Sequence, residues 1–278
     1  MRKFLAIFFG FLLVLTLVTW SCDETTPVDG EQEEEEEVVE VIFTDPNLDA
    51  AVREVISKPI DAIFVSDLTE LTFLDAQERG VTDLTGLEYC TNLTILYLSG
   101  NQISDLSPLA SLTNLSMLDL IRNQISDLSP LASLTNLTTL YLNWNQISDP
   151  SPLASLTSLT DLWLYVNQIN DISSLASLTN LTTLHLSSNQ ISDISPLASL
   201  TNLTTLYLTS NQISDISPLA SLTNLTTLYL TSNQISDISP LAYLSKLIEL
   251  WLSNNPLDEI ATNIHVPQLE ERGVKVIR

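Results

Sequence analysis

Basic residues are scarce in this chain: ten Lys and Arg stand against 34 Asp and Glu in 278 residues, a formal charge of −24. Binding to a nucleic-acid backbone relies on cations that displace counterions, so the balance argues against such a partner. Cysteine is scarcer still, with only Cys22 and Cys90 in very different surroundings, and neither a disulfide framework nor a Cys-based metal cluster can be built from the pair. Histidine occurs twice, as His185 and His265, and the sequence holds no Gly-rich phosphate loop and no His-Glu zinc pattern. The chain therefore reads as a protein without catalytic activity, with no cofactor and no metal.

A long apolar run occurs once. It extends from Phe4 to Trp20, follows Arg2 and Lys3, and ends just before Cys22. Charge followed by an apolar run is the layout of an export signal. Its length is also close to the ~20 residues that span a bilayer, so an uncleaved anchor is a second reading. Residues 1–22 resemble a bacterial lipoprotein signal, in which the cysteine is acylated and becomes the mature N-terminus. Ser21 fits that pattern, whereas Thr19 and Trp20 stand where Leu and a small residue are usual. The resemblance implies lipidation at Cys22 and a membrane-anchored, exported protein at the cell surface, with simple secretion as the alternative. Residues 23–40, rich in acids and without a base, cannot bury enough surface to order themselves and are expected to be a solvated tether or a sorting signal.

The rest of the chain repeats. Residues 200–220 and 222–242 are identical, and Leu93, Leu115, Leu137, Leu159, Leu181, Leu203, Leu225 and Leu247 follow at steps of 22. Asn101 to Asn255 keep the same step, which gives L-x-x-L-x-L-x-x-N in each unit. Leucines two apart share one face of a short strand, and the Asn can satisfy backbone groups where the chain turns inward. The second half of each unit, as in "ISDISPLASL", has a Ser-Pro pair. Ser195 before Pro196 suggests an N-cap on a single helical or 3-10 turn.

This pattern resembles the leucine-rich repeat family, and I-x-D-[IL]-x-P-L in a 22-residue unit is similar to the internalin type found on bacterial surfaces. The resemblance implies an α/β solenoid: a right-handed stack with a concave parallel sheet, short turns on the convex side, and a helical N-terminal cap. The cap is expected over 41–70, where Asp45 and Pro46 start a helix with Leu48, Ala51, Val52, Val55 and Ile56 at helical spacing. One degenerate and eight full units then occupy 71–256. A C-terminal cap follows at 257–278, with a short helix closing at Gly273 and a last strand through Val274 and Val276. Cys90 falls where later units have a core leucine and reads as buried filler.

Two columns remain. Asp105, Asp127, Asp149, Asp171, Asp193, Asp215 and Asp237 recur with the period; they read as turn acceptors, with calcium ligation as the alternative. At the fifth strand position stand Tyr97, Asp119, Tyr141, Trp163, His185, Tyr207, Tyr229 and Trp251. An aromatic column on an exposed face is contact area that solubility does not require, although cross-strand stacking alone would also account for it. The units from Leu181 onward are nearly uniform. Earlier ones vary at solvent-facing positions, with Met117, Ile121, Arg122, Asn143, Trp144, Asp161, Tyr165 and Val166, a composition of interface hot spots. The expected function is recognition of a macromolecule on the concave face. The internalin resemblance implies a protein ligand, on a host or neighbouring cell; a polysaccharide, or a protein of the cell's own envelope, is the alternative.

Overall fold

The computed structural model describes residues 39–278. Strand β1 (Glu40–Val41) pairs antiparallel with β2 (Ile63–Phe64), and α1 (Pro46–Ile56) lies between them in the chain. Asp45 caps α1, its carboxylate accepting the N–H groups of Asn47 and Leu48 at 2.9 and 3.2 Å. Pro46 needs no such partner and opens the first turn. Ser57 closes the helix in the left-handed region, φ 56°. Leu48, Ala51 and Val52 are buried on one face and close the first edge of the core.

From there each unit contributes one three-residue strand: β3 (Phe73–Asp75), β4 (Ile95–Tyr97), β5 (Met117–Asp119), β6 (Thr139–Tyr141), β7 (Asp161–Trp163), β8 (Thr183–His185), β9 (Thr205–Tyr207), β10 (Thr227–Tyr229) and β11 (Glu249–Trp251). With β12 (Lys275–Ile277) they form a ten-stranded parallel sheet in sequence order. The pairing never slips: Leu96 faces Leu118, Leu118 faces Leu140, and so on to Leu250 opposite Val276. The central leucine of every strand from β3 to β11 is fully buried. Burying such a side chain is worth about 2–3 kcal/mol, so a column of them drives the stack.

A ladder of asparagines ties the units where the strands end. Asn123 donates from Nδ2 to the carbonyls of Leu98 and Leu120 at 3.0 and 3.1 Å, and its Oδ1 accepts from the Ile103 N–H at 3.0 Å. The side chain thus bonds two units at once, and the same set recurs from Asn101 to Asn255.

The other side of the core is a row of 3-10 turns, such as Ser195–Ser199. Here the expected capping is corrected. Ser195 is the first residue of the turn rather than its cap: Ile194 holds the cap position without a side-chain bond, and Asp193 just before it accepts the Ser195 N–H at 2.8 Å. All seven members of the Asp column accept in this way, at 2.7 to 2.9 Å. Hydrogen bonds from Ser107 hold the Asp105 carboxyl below the usual range. Cys90 is fully buried, and desolvation pushes its thiol up to about 12, which makes it inert filler.

The far end closes with a π-helical turn (Ala261–His265) running into α2 (Val266–Glu271). Gly273, at φ 88°, turns the chain back so that β12 can pair with β11. Arg272 reaches across to the carbonyls of Ala242 and Leu244.

Candidate ligand-binding face

Strand alternation sends the leucines into the core and their neighbours to the outer face of the sheet. The fifth-position side chains therefore form a single file, each half-buried by the next. Tyr141 meets Trp163 at 5.1 Å between ring centres, Trp163 meets His185 at 5.6 Å, and His185 meets Tyr207 at 4.5 Å. Tyr207 stacks on Tyr229 at 4.7 Å and 23°, and Tyr229 on Trp251 at 5.4 Å and 18°. The strand spacing of ~4.8 Å brings in-register rings into contact, stacked from Tyr207 to Trp251 and tilted or edge-on from Tyr141 to Tyr207. Asp119 breaks the file. Beyond it Tyr97 turns edge-on to Phe73 at 5.5 Å, and its hydroxyl donates to the Met117 sulfur.

Burial shapes the titration of this file. Desolvation raises the carboxyl of Asp119, whose Oδ1 accepts the Ile121 N–H, and raises the phenols of Tyr141 and Tyr207. Desolvation lowers His185 to about 4, so the imidazole is neutral at pH 7. Its Nδ1 is buried without a hydrogen-bond partner, as are Trp163 Nε1 and Asn143 Nδ2.

The variable residues form a second row, along the rim where the strands end. The eighth position of every unit lies in the left-handed region; the degenerate unit has Glu78 there, and the full units other than two to four hold Gly100, Ser188, Ser210, Ser232 or Asn254. Units two to four place Arg122, Trp144 and Val166 there, at φ 54, 59 and 56°. That conformation costs a residue with a Cβ about 1–2 kcal/mol and is least tolerated by a β-branched one. Trp144 is 45% exposed. Its Nε1 donates to the Tyr165 hydroxyl at 2.9 Å, the Arg122 guanidinium lies 5.9 Å above its ring, and Tyr165 stacks on His185 at 4.6 Å and 19°. Rim and file thus join at His185.

One expected member of this surface is corrected. Asn143 is buried, not solvent-facing, because its Oδ1 accepts the Tyr165 N–H on the next strand at 3.0 Å. Met117, Ile121, Asp161, Tyr165 and Val166 are partly covered by neighbours, and Arg122 and Trp144 stand clear. What sequence reasoning missed is the positive φ of the rim. The signal was the run of Gly, Ser and Asn at that position in the other full units, which sets Arg, Trp and Val apart from them. On the opposite side, Pro150, Asn170 and Ser174 line a shallow notch of about 240 Å³ among the 3-10 turns, away from the file.

Among the described residues, no group of three or more His, Cys, Asp or Glu is placed to hold a metal ion, and no helix is long and apolar enough to cross a membrane. The expected export signal and Cys22 lie outside the described residues.

A sequence profile described as "Leucine Rich repeats (2 copies)" matches residues 69–111, 91–133, 113–149, 135–177, 179–221 and 223–265. Among solved structures, an internalin C2 from Listeria monocytogenes is 47% identical over 76% of this chain and 95% of its own, with a TM-score of 0.75. An internalin (inlF) from the same organism is 35% identical over 85% of this chain and 89% of its own, with a TM-score of 0.52. A leucine-rich repeat protein of Leptospira interrogans is 28% identical over 69% of this chain and 50% of its own, with a TM-score of 0.65. No curated protein matches the chain.

Proposed function

The chain belongs to the leucine-rich repeat family, with repeats of the internalin type, and on that basis we propose that the outer face of its sheet binds a protein ligand at the cell surface. Internalin-like repeat proteins are in general protein-interaction modules without catalytic activity, and they are secreted or surface proteins. The observation that carries the reading is the unbroken file of rings from Tyr141 to Trp251 on a sheet whose register is fixed. A preformed surface of aromatic edges loses little conformational entropy on binding.

The same stacking weighs against a polysaccharide. A sugar ring binds by lying on an open aromatic face, but the faces of Tyr207 and Tyr229 are occupied by their neighbours. What stays accessible is edges and hydroxyls, which suit side chains and backbone of a protein. Membrane attachment by acylation of Cys22 completes the proposal, with the acidic segment as tether; the tether ends before the expected residue 40, because Glu40 already pairs with Phe64 in β1.

The test is a pulldown with the full chain beside a Tyr207→Ala, Tyr229→Ala variant, using host-cell surface proteins, envelope proteins of the producing cell, and a glycan array. A partner kept by the wild type and lost by the folded variant supports the sheet face. Retention by the variant removes the site, and binding confined to the glycan array would establish the alternative ligand class.

A further inference from the structure

Arg122 is the sole basic residue between Arg79 and Lys246. Every other described basic side chain is engaged: Arg79, for example, pairs with Glu54, Lys275 with Glu249, and Arg272 with two carbonyls. Among the described residues, the Arg122 guanidinium alone makes neither a hydrogen bond nor an ion pair, in a chain that has 34 acids to offer it. It lies over an exposed tryptophan on the rim, at a left-handed position that five of the eight full units fill with Gly, Ser or Asn.

These features answer one another chemically. A guanidinium has a planar fork of donors that matches a carboxylate bidentately, and its cation–π contact with Trp144, 5.9 Å to the ring centre, uses none of those donors. Beside it, the Trp144 ring is fixed by its bond to Tyr165 and presents apolar area of the kind that anchors interfaces. Asp119 and Asp161 stand on the same sheet, and between Arg79 and Lys246 no other Lys or Arg is offered to a partner's carboxylate, so Arg122 is its one cationic contact in that stretch.

We propose that Arg122, Trp144 and Tyr165 form an acid-anchor subsite, which takes one Asp or Glu of a protein ligand together with an adjacent aromatic or aliphatic side chain and so sets the ligand's register on the sheet. This deepens the protein-binding reading above and rests on it. The expected occupant is a loop that is neutral or basic overall, as the charge of −24 requires, with a single carboxylate at its centre.

The probe is a display library of a small folded scaffold with one randomised surface loop, selected on the full chain and, separately, on Arg122→Gln, Arg122→Glu and the Tyr207→Ala, Tyr229→Ala variant. Wild-type selection is expected to enrich an acid next to an aromatic or aliphatic residue, against the general preference of an acidic protein for basic loops. Loss of one charge-assisted contact should weaken those binders about tenfold or more on Arg122→Gln. Arg122→Glu should replace the acid by Lys or Arg. The proposal is overturned by a wild-type selection that yields no binders, by binders without acid enrichment, or by acid-bearing binders indifferent to Arg122→Gln. Binders that need Tyr207 and Tyr229 but not Arg122 would sink the anchor and leave the sheet face standing. Binders that need neither would sink both.

Discussion

Trp144 and Tyr165, on adjacent units, are joined by an indole N–H that donates to a phenol oxygen at 2.9 Å, with the two rings at 79°. The bond is exposed, so its net worth is at the low end of the ~0.5–1.5 kcal/mol usual for such contacts. Its importance is geometric, because it fixes the plate on which Arg122 rests. Tyr165→Phe should leave the denaturation midpoint almost unchanged while weakening ligand capture. A large loss of stability in urea titration would contradict this.

Val166 holds a β-branched side chain at φ 56° where later units have serine. Replacing it with Asn, which tolerates that region, should stabilise the protein by about 0.5–1 kcal/mol. Chemical denaturation of Val166→Asn decides the matter, and an unchanged or lower midpoint would show that the valine is not strained.

Asn123→Ala should be among the costly single changes. It leaves the buried Ile103 N–H without its partner, at about 1–3 kcal/mol, and takes one of two donors from each of the Leu98 and Leu120 carbonyls, which keep Asn101 and Asn145. The expected result is a loss of at least ~2 kcal/mol, with hydrogen exchange accelerated first at Ile103.

His185 sets a pH dependence whose sign follows from its burial. The folded value, about 4, lies below the ordinary 6.5, so between those values the unfolded chain binds the proton more readily. Stability is then lost as pH falls from 6.5 toward 4 and this contribution is flat below that. His185→Tyr, which continues the column of tyrosines, should flatten the slope in that window. The aspartates lowered by their serine partners act in a separate one, with stability present above 3.8 and lost as pH falls further.

Acylation at Cys22 predicts that Cys22→Ser moves the protein from the detergent-soluble membrane fraction to the aqueous phase. Equal partitioning of the two forms would remove the lipid anchor from the proposal.

The repeat was legible because its step is kept throughout: the leucines at each strand centre and the asparagines at each strand end do the same job in every full unit. Elements outside that step were not. Strands β1 and β2 have two residues each, too few for alternation to register, and the π-helical turn at Ala261–His265 has no periodic signature of its own. Ser195 was read as a cap because Ser-Pro so often is one, but Asp193 stood two residues earlier with the stronger acceptor. Asn143 was assigned to the surface because its partner, the Tyr165 N–H, belongs to the next unit and is invisible to a reading of one strand at a time. The fifth-position file was legible as a column of rings. That the rings would spend their faces on each other follows only from the strand spacing.

Residues 200–220 and 222–242 are identical and sit in the same register as their neighbours, each strand bonded only to the one before and the one after. A unit duplicated or deleted in that stretch would meet an interface it already fits, so the gene can lengthen or shorten the protein without inventing a new contact. The rim with Arg122 and Trp144, nearer the N-terminal cap, would be untouched. Copying in this stretch would lengthen the file of rings by one Tyr per unit, whereas the rim changes only by point substitution.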